Sequence, residues 1–144
     1  MKQVLIIAIT CLLFANAAHA VEQYLCTADR ASGFSFNKVK KEWDHATFKA
    51  NSKYVVSKPE DGGAAFVVRE IGNSSVTAWC KTPFNEADFL FCEGLGGDFR
   101  FNRKNGRYIS AYLMGYFNVV PGVNKITDET SDTPYVEIGK CSPF

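Results

Sequence analysis

The sequence contains very little histidine. Only two histidines are present, and one of them, His19, lies in an N-terminal apolar segment that we expect to be removed, which leaves His45. A hydrolytic triad would have to use this imidazole, and the chain has no G-x-S-x-G segment to present a nucleophilic serine. His45 also follows Asp44 in a polar stretch, which favours a solvated side chain. The scarcity of histidine therefore argues against both a triad hydrolase and a histidine-based metal site.

The sequence also lacks close cysteine pairs, an excess of one charge and a long apolar segment. Its five cysteines form no C-x-x-C pair, the usual spacing of a zinc site. The formal net charge is +1, and it becomes zero once the N-terminal segment with Lys2 is removed, whereas nucleic-acid-binding proteins are normally basic. The apolar run at residues 4–14 is shorter than the ~20 residues that a membrane helix needs. We therefore expect no metal, no cofactor, no nucleic-acid partner and no membrane span.

The N-terminus has the features of a secretory signal peptide. Lys2 precedes the apolar run, and Ala18-His19-Ala20 is a small-x-small cleavage signal. We expect residues 1–20 to be cleaved and the protein to be exported, either to the periplasm or out of the cell. Residues 21–144 are then a single domain, large enough to bury a substantial core.

Four cysteines remain after cleavage. An even number in an exported chain predicts two disulfides, for which three pairings are possible. Cys80 and Cys92 flank a loop at residues 82–90, and a hairpin through this loop would place them opposite each other. The favoured pairing therefore joins Cys80 to Cys92, and Cys26 to Cys141 near the two ends of the domain.

Short β-strands dominate the hydrophobic pattern. Asn105-Gly106 favours a tight turn, which predicts a hairpin between residues 99–103 and residues 107–112. Four phenylalanines recur at period two, which predicts an aromatic stripe on one face of a sheet. They are Phe89, Phe91, Phe99 and Phe101.

Turn-forming residues divide the rest of the chain into segments of similar length. About eight strands result, with turns every 8–12 residues, which predicts an all-β domain, either a small antiparallel barrel or a closed sandwich. The first strand should cover residues 22–36 with an interruption at 31–33, and residues 119–132 should form a long loop. Residues 38–49 suit either a short helix or an irregular turn that leads into a strand at 46–49, and we favour the turn. The many aromatic residues favour a phenylalanine-rich core over an aromatic ligand groove.

One segment combines arginine with tyrosine, a common pairing in recognition surfaces. Arginines crowd the Asn105-Gly106 turn, and three tyrosines follow at period two or its multiple. If the domain has a binding surface, we expect it here, with a protein or an envelope polymer as partner; the alternative is a solubilising hairpin tip. The predicted contact residues are Arg103, Arg107, Tyr108, Tyr112 and Tyr116.

Loop carboxylates are the other source of chemistry. Pairs of carboxylates cleave glycosides, and three acidic groups occur in loops, where solvation also explains them. The last group has spacing that suits calcium, but the full calcium-loop pattern is missing. The groups are Glu60-Asp61, Glu86 with Asp88, and Asp128-Glu129 with Asp132. Gly94-Leu95-Gly96-Gly97 is better explained as a turn than as a phosphate loop, because a strand rather than a helix follows it.

Two sets of residues resemble known exported proteins. The first set is Lys53-Tyr54-Val55-Val56, Phe99-Arg100-Phe101-Asn102, Gly115-Tyr116, Thr133-Pro134 and Ile138-Gly139-Lys140-Cys141-Ser142. It resembles a largely uncharacterised group of small exported bacterial proteins with a cysteine near each end of the mature chain, which implies export but no known activity. Ser32-Gly33-Phe34-Ser35-Phe36 approaches the Ser-Gly-x-x-Tyr motif of periplasmic lysozyme-inhibitor barrels, with phenylalanine at the tyrosine position. This looser likeness implies a disulfide-tied antiparallel barrel that inhibits lysozyme.

These observations favour a non-enzymatic binding or structural module of the cell envelope, with inhibition of a cell-wall hydrolase such as lysozyme as the sharper form. The alternative from a different class is a small secreted hydrolase that uses His45 or a loop carboxylate pair.

Overall fold

A computed structural model describes residues 22–123 and 125–144, so the predicted signal peptide and its cleavage site lie outside the described residues. These described residues form nine strands and one short 3₁₀ helix, Tyr116–Asn118. Within the described ranges, no helix is long and apolar enough to cross a membrane. The strands are β1 Tyr24–Asn37, β2 Glu42–Phe48, β3 Lys53–Ser57, β4 Phe66–Glu70, β5 Val76–Cys80, β6 Phe89–Gly94, β7 Gly97–Asn102, β8 Arg107–Tyr112 and β9 Tyr135–Pro143.

Eight of these strands close into an antiparallel barrel. The barrel order is β1, β3, β4, β5, β6, β7, β8 and β9, and pairing of β9 with β1 closes it. β1 is 14 residues long, and β2 pairs with its second half, from Ala31 opposite Phe48 to Asn37 opposite Glu42. The β1–β2 hairpin therefore extends past one end of the barrel. The predicted all-β antiparallel barrel is confirmed, with one strand in addition.

The β1–β2 hairpin differs in detail from the prediction. β1 continues through residues 31–33, and its pairing with β9 is irregular between Ala28 and Arg30 instead. β2 begins at Glu42 rather than at residue 46, and residues 38–41 form the turn before it. Asn37 explains this early start, because its Oδ1 accepts the backbone N–H groups of Val39 (3.1 Å) and Lys40 (3.1 Å) and closes the turn locally.

The barrel interior is packed with aromatic rings. We call the end that carries Tyr24, Phe66 and Phe101 the closed end, because Phe84, from the loop between β5 and β6, packs against all three rings there. The opposite end, past which the β1–β2 hairpin extends, is the open end. Closing a sheet and filling it with rings removes apolar surface from water, at roughly 25 cal/mol per Å².

The predicted aromatic stripe on one face is wrong. Phe99 and Phe101 on β7 point into the barrel, whereas Phe89 and Phe91 on β6 are exposed on its outer surface. Cys92 lies opposite Phe99 in the β6–β7 pair, so Cys92 points inward like Phe99. Phe89 and Phe91, at the alternate positions of β6, therefore point outward. Period two fixes the face within one strand, but the register between strands decides whether two strands share it.

Both disulfides form with the favoured pairing. Cys26 and Cys141 lie opposite each other in the β1–β9 pair that closes the barrel. Cys80 and Cys92 join β5 to β6 at a sequence separation of 12. Three of these four cysteines are at most 2% exposed, and all four belong to the core. The bonds therefore tie the barrel from its interior.

Candidate functional site

Arg103 is held in place at the closed end by two carboxylates and an aromatic ring. Its guanidinium donates to Glu22 Oε1 (2.7 Å) and, through Nε, to Asp88 Oδ1 (3.1 Å), and it lies 4.5 Å from the centre of the Phe84 ring. The hydrogen bonds to Asp88 and then Glu22 raise the pKa of this side chain. Arg103 therefore covers the Phe84 ring that plugs the closed end.

Tyr108 is not a surface residue, so its prediction as a contact residue is wrong. Its side chain is 3% exposed and stacks on Phe99 inside the barrel at a centroid distance of 5.0 Å. Its hydroxyl donates to Glu137 Oε1 (2.9 Å), a carboxylate that is itself 1% exposed. Burial, and then this hydrogen bond, raises the pKa of Tyr108. Gly139 lies opposite Tyr108, and a Cβ there would come within 2.5 Å of the ring.

The other three predicted residues do not form one surface with Arg103. Arg107 is exposed and begins β8 near the closed end, whereas Tyr112 ends β8 at the open end. They are five positions apart on an extended strand, a distance of roughly 17 Å. Tyr116 lies in the 3₁₀ helix beyond Tyr112. The structure therefore divides the predicted arginine–tyrosine surface between the two ends of the barrel.

Tyr112 connects the open end to the long loop. Its hydroxyl donates to Asp132 Oδ2 at 2.6 Å. This hydrogen bond, together with burial, raises the pKa of Tyr112 to about 12. Its ring stacks on Tyr135 of the neighbouring strand β9, with centroids 5.9 Å apart. Tyr112 therefore helps to hold Asp132, at the end of the long loop, against the barrel.

Tyr116 belongs to an apolar cleft outside the open end, which we call the aromatic cleft. The cleft has a volume of about 370 Å³ and lies between the β1–β2 hairpin and the long loop. β1 and β2 supply one wall, and the segment after β8 and the segment before β9 supply the other. Its lining residues are Phe34, Trp43, Leu113, Tyr116, Phe117 and Pro134.

Trp43 holds the two walls of the aromatic cleft together. Its indole Nε1–H donates to Asp128 Oδ1 of the long loop at 2.9 Å. Its ring contacts Tyr116 edge-on, with centroids 5.6 Å apart and an interplanar angle of 83°. Next to it, Lys41 forms an ion pair with Glu129, which lowers the pKa of that carboxyl. The cleft is therefore built before any ligand arrives, as most binding sites are.

The aromatic side chains of the cleft are unusually exposed. Phe34 is 54% exposed, Tyr116 65% and Phe117 67%. A cluster of exposed rings on a single domain is typical of an interaction surface, because leaving it in water costs free energy. The cleft offers few polar groups, since the Trp43 N–H is already bonded to Asp128. Its chemistry suits apolar side chains.

His45 lies beside the cleft and contacts a serine. The Ser32 Oγ and His45 Nε2 atoms are 2.8 Å apart, and the Ser32 Oγ is also 3.2 Å from the carbonyl oxygen of Ala46. A catalytic histidine is usually oriented by an acid. The adjacent acid, Asp44, instead accepts hydrogen bonds from Asn37 (2.9 Å) and Lys40 (3.4 Å). The strand pairing thus supplies a serine–histidine contact without turning Asp44 toward it.

Four of the seven loop carboxylates, Asp88, Asp128, Glu129 and Asp132, have side-chain partners. Asp88 is bonded to Arg103 and Asp132 to Tyr112. Asp128 accepts from Trp43, and Glu129 pairs with Lys41. In the part of the chain that the structure describes, no group of three or more histidine, cysteine, aspartate or glutamate side chains is arranged to hold a metal ion. These acids pin loops to the barrel.

Most of the cleft was not predicted from the sequence. Tyr116 was predicted as a contact residue, but Phe34, Trp43 and Phe117 were not. Only Phe117 among these carries a sequence signal, because Tyr116-Phe117 places two adjacent aromatic residues just before a polar segment.

Comparison of the chain with protein-family models, with curated proteins and with solved structures found no match.

Proposed function

We propose that this domain is a non-enzymatic binding module that docks apolar side chains of a protein partner in the aromatic cleft. The observation that carries the proposal is the exposure of Phe34, Tyr116 and Phe117 around a preformed cleft of about 370 Å³. Large aromatic rings fixed on a rigid scaffold are the usual anchors of protein interfaces, because they bury much area at little cost in conformational entropy.

A protein is a better occupant of this cleft than an envelope polymer. A polysaccharide presents many hydroxyls, which need hydrogen-bond partners once they leave water. The cleft is lined mainly by carbon, and its indole N–H is already used by Asp128. Leucine, methionine or aromatic side chains of a protein would fill the cleft without such a penalty.

Export to the cell envelope is part of the same proposal. The two disulfides are compatible with an oxidising compartment, where such bonds form and persist. The sequence of residues 1–20 adds a signal-peptide pattern. In that compartment the sharper form of the proposal is inhibition of a cell-wall hydrolase, such as the lysozyme that the Ser32-Gly33-Phe34 segment suggests by resemblance.

The test is capture of a partner by purified residues 21–144. The domain would be immobilised, exposed to envelope extract and to purified lysozyme, and compared with the Phe117→Ala and Phe144→Ala variants. Phe144 is a matched control, because it is 65% exposed at the closed end. We expect Phe117→Ala to lower the affinity for the partner about 30-fold, because the loss of an anchor costs roughly 2 kcal/mol. Phe144→Ala should leave the affinity unchanged. Equal retention by both variants would contradict the proposal.

A hydrolase is the second candidate, and the 2.8 Å contact between Ser32 and His45 is the observation that favours it. It predicts turnover of activated esters, loss of that turnover in Ser32→Ala, and covalent labelling of Ser32 by a fluorophosphonate. If Ser32 is not labelled and the Ser32→Ala variant still captures the partner, the hydrolase candidate is excluded and the binding module is retained.

A further inference from the structure

The open end of the barrel contains a second cavity, which we call the mouth cavity. Its volume is about 80 Å³, and it shares no lining residue with the aromatic cleft. Tyrosines from β3, β8 and β9 line it, together with larger side chains such as Leu95 and Phe99 and several positions that have no side chain or only a methyl group. The tyrosines are Tyr54, Tyr112 and Tyr135, and the small residues are Ala78, Gly94 and Gly97.

The mouth cavity is acidic as well as aromatic. Glu70 lines it, directly across the β3–β4 pair from Tyr54. Glu137 is 1% exposed inside the barrel, two residues along β9 from Tyr135. A third carboxylate, Asp98, is bonded to Arg100 at 3.1 Å. Among the described residues that line the cavity, none is a lysine or an arginine.

The pKa values of Tyr54 and Tyr135 show the effect of this negative potential. The pKa of Tyr135 is raised by burial and then by the charges of Glu137 and Glu70, because a phenolate would be repelled by both carboxylates. The pKa of Tyr54 is raised by burial, with the same two carboxylates adding to the effect. The field that disfavours a phenolate favours a cation at the same place.

We propose that the mouth cavity binds the ammonium group of a small organic cation, such as an amine or a quaternary ammonium compound. Aromatic rings attract a cation through their quadrupoles, and this attraction is strongest where water is partly excluded. Glu70 supplies a carboxylate in the cavity lining, and the buried Glu137, two residues along β9 from Tyr135, adds a second negative charge nearby. A cavity of about 80 Å³ has room for a methylated ammonium group or a few waters. Anions are excluded by the same two carboxylates.

The experiment is a two-dimensional amide NMR titration of the intact domain with tetramethylammonium chloride. The controls are sodium chloride at equal ionic strength and tert-butanol, which is similar in size and shape but neutral. We expect saturable shifts at Gly97, Tyr112 and Tyr135 with tetramethylammonium and none with tert-butanol. Equal shifts with both compounds, or no saturable shift at these residues, would overturn the proposal.

Variants separate the charge from the cavity. Glu70→Gln keeps the size of the side chain and removes the charge, so the affinity for tetramethylammonium should fall about fivefold. Glu93→Gln is the matched control, because Glu93 is paired with Lys81 on the outer surface. Tyr135→Phe keeps the ring and should retain binding. Equal affinity of the Glu70→Gln and Glu93→Gln variants would overturn the proposal. Phe117→Ala, which tests the aromatic cleft, should leave this titration unchanged, so the two proposals fail independently.

Discussion

Arg103 and Arg107 lie four residues apart near one hairpin turn, but they have different surroundings. Arg103 joins Glu22, Asp88 and the Phe84 ring, whereas Arg107 is exposed at the start of β8. A surface arginine acts on stability only when its position is fixed by several partners at once. Comparison of the two residues therefore tests whether the contacts of Arg103 at the closed end stabilise the folded protein.

We expect Arg103→Ala to lower the free energy of unfolding by about 1 kcal/mol, because it removes three charge-assisted hydrogen bonds to two carboxylates and a cation–π contact, all partly screened by solvent. Arg107→Ala should change it by less than about 0.5 kcal/mol. Urea unfolding followed by tryptophan fluorescence measures both values. Equal losses in the two variants would show that Arg103 does not secure the Phe84 plug.

Tyr112 makes stability depend on pH in the alkaline range. Its pKa is about 12 in the folded protein, against a reference value of 10.0 for an unperturbed tyrosine. The folded state therefore holds this proton more tightly, so the stabilisation is complete below pH 10 and is lost as pH rises through about 12. We expect the stability difference between wild type and Tyr112→Phe to be constant from pH 7 to 9 and to shrink above pH 10. A difference that stays constant up to pH 12 would contradict the hydrogen bond to Asp132.

At the scale of single elements, local chemistry predicted the hairpins well. Asn105-Gly106 turns the chain between β7 and β8, and Gly106 has the positive φ of 69° that such a turn needs. The disulfide between Cys80 and Cys92 also followed from a short loop. In both cases the residues that decide the structure are close together in the chain.

Face and strand limits were harder to predict, because they depend on partners far away in sequence. The start of β2 at Glu42 is set by the Asn37 turn and by pairing with β1. The outward direction of Phe89 and Phe91 is set by the register that turns Cys92 inward. A periodic pattern gives alternation within a strand but contains no information about which partner strand fixes the phase.

The aromatic cleft was hard to predict for the same reason, because its residues are far apart in the sequence. Phe34 comes from β1, Trp43 from β2 and Phe117 from the segment after β8, so the cleft exists only once the barrel has closed. No spacing in the sequence joins these three residues. Prediction of Tyr116 as a contact residue used the spacing of the tyrosines and their pairing with arginine, and the same pattern included Tyr108, which is buried.

At the scale of the whole molecule, the two ends of the barrel have different roles. The closed end is plugged by Phe84 under Arg103, whereas the open end carries the mouth cavity and, outside it, the aromatic cleft. The disulfide between Cys26 and Cys141 joins β1 to β9, so these two strands cannot separate while the bond is intact. The barrel that positions the open end therefore stays closed. On the chain-entropy model a loop of this length contributes about 5 kcal/mol.

We propose the aromatic cleft as the surface that meets a partner. The most direct test is to place the photo-crosslinking amino acid benzoylphenylalanine at Phe117, and separately at Phe144, and to irradiate cells that express each variant. We expect a defined crosslinked protein from position 117 and none from position 144. Crosslinks of equal yield from both positions, or from position 144 alone, would contradict it.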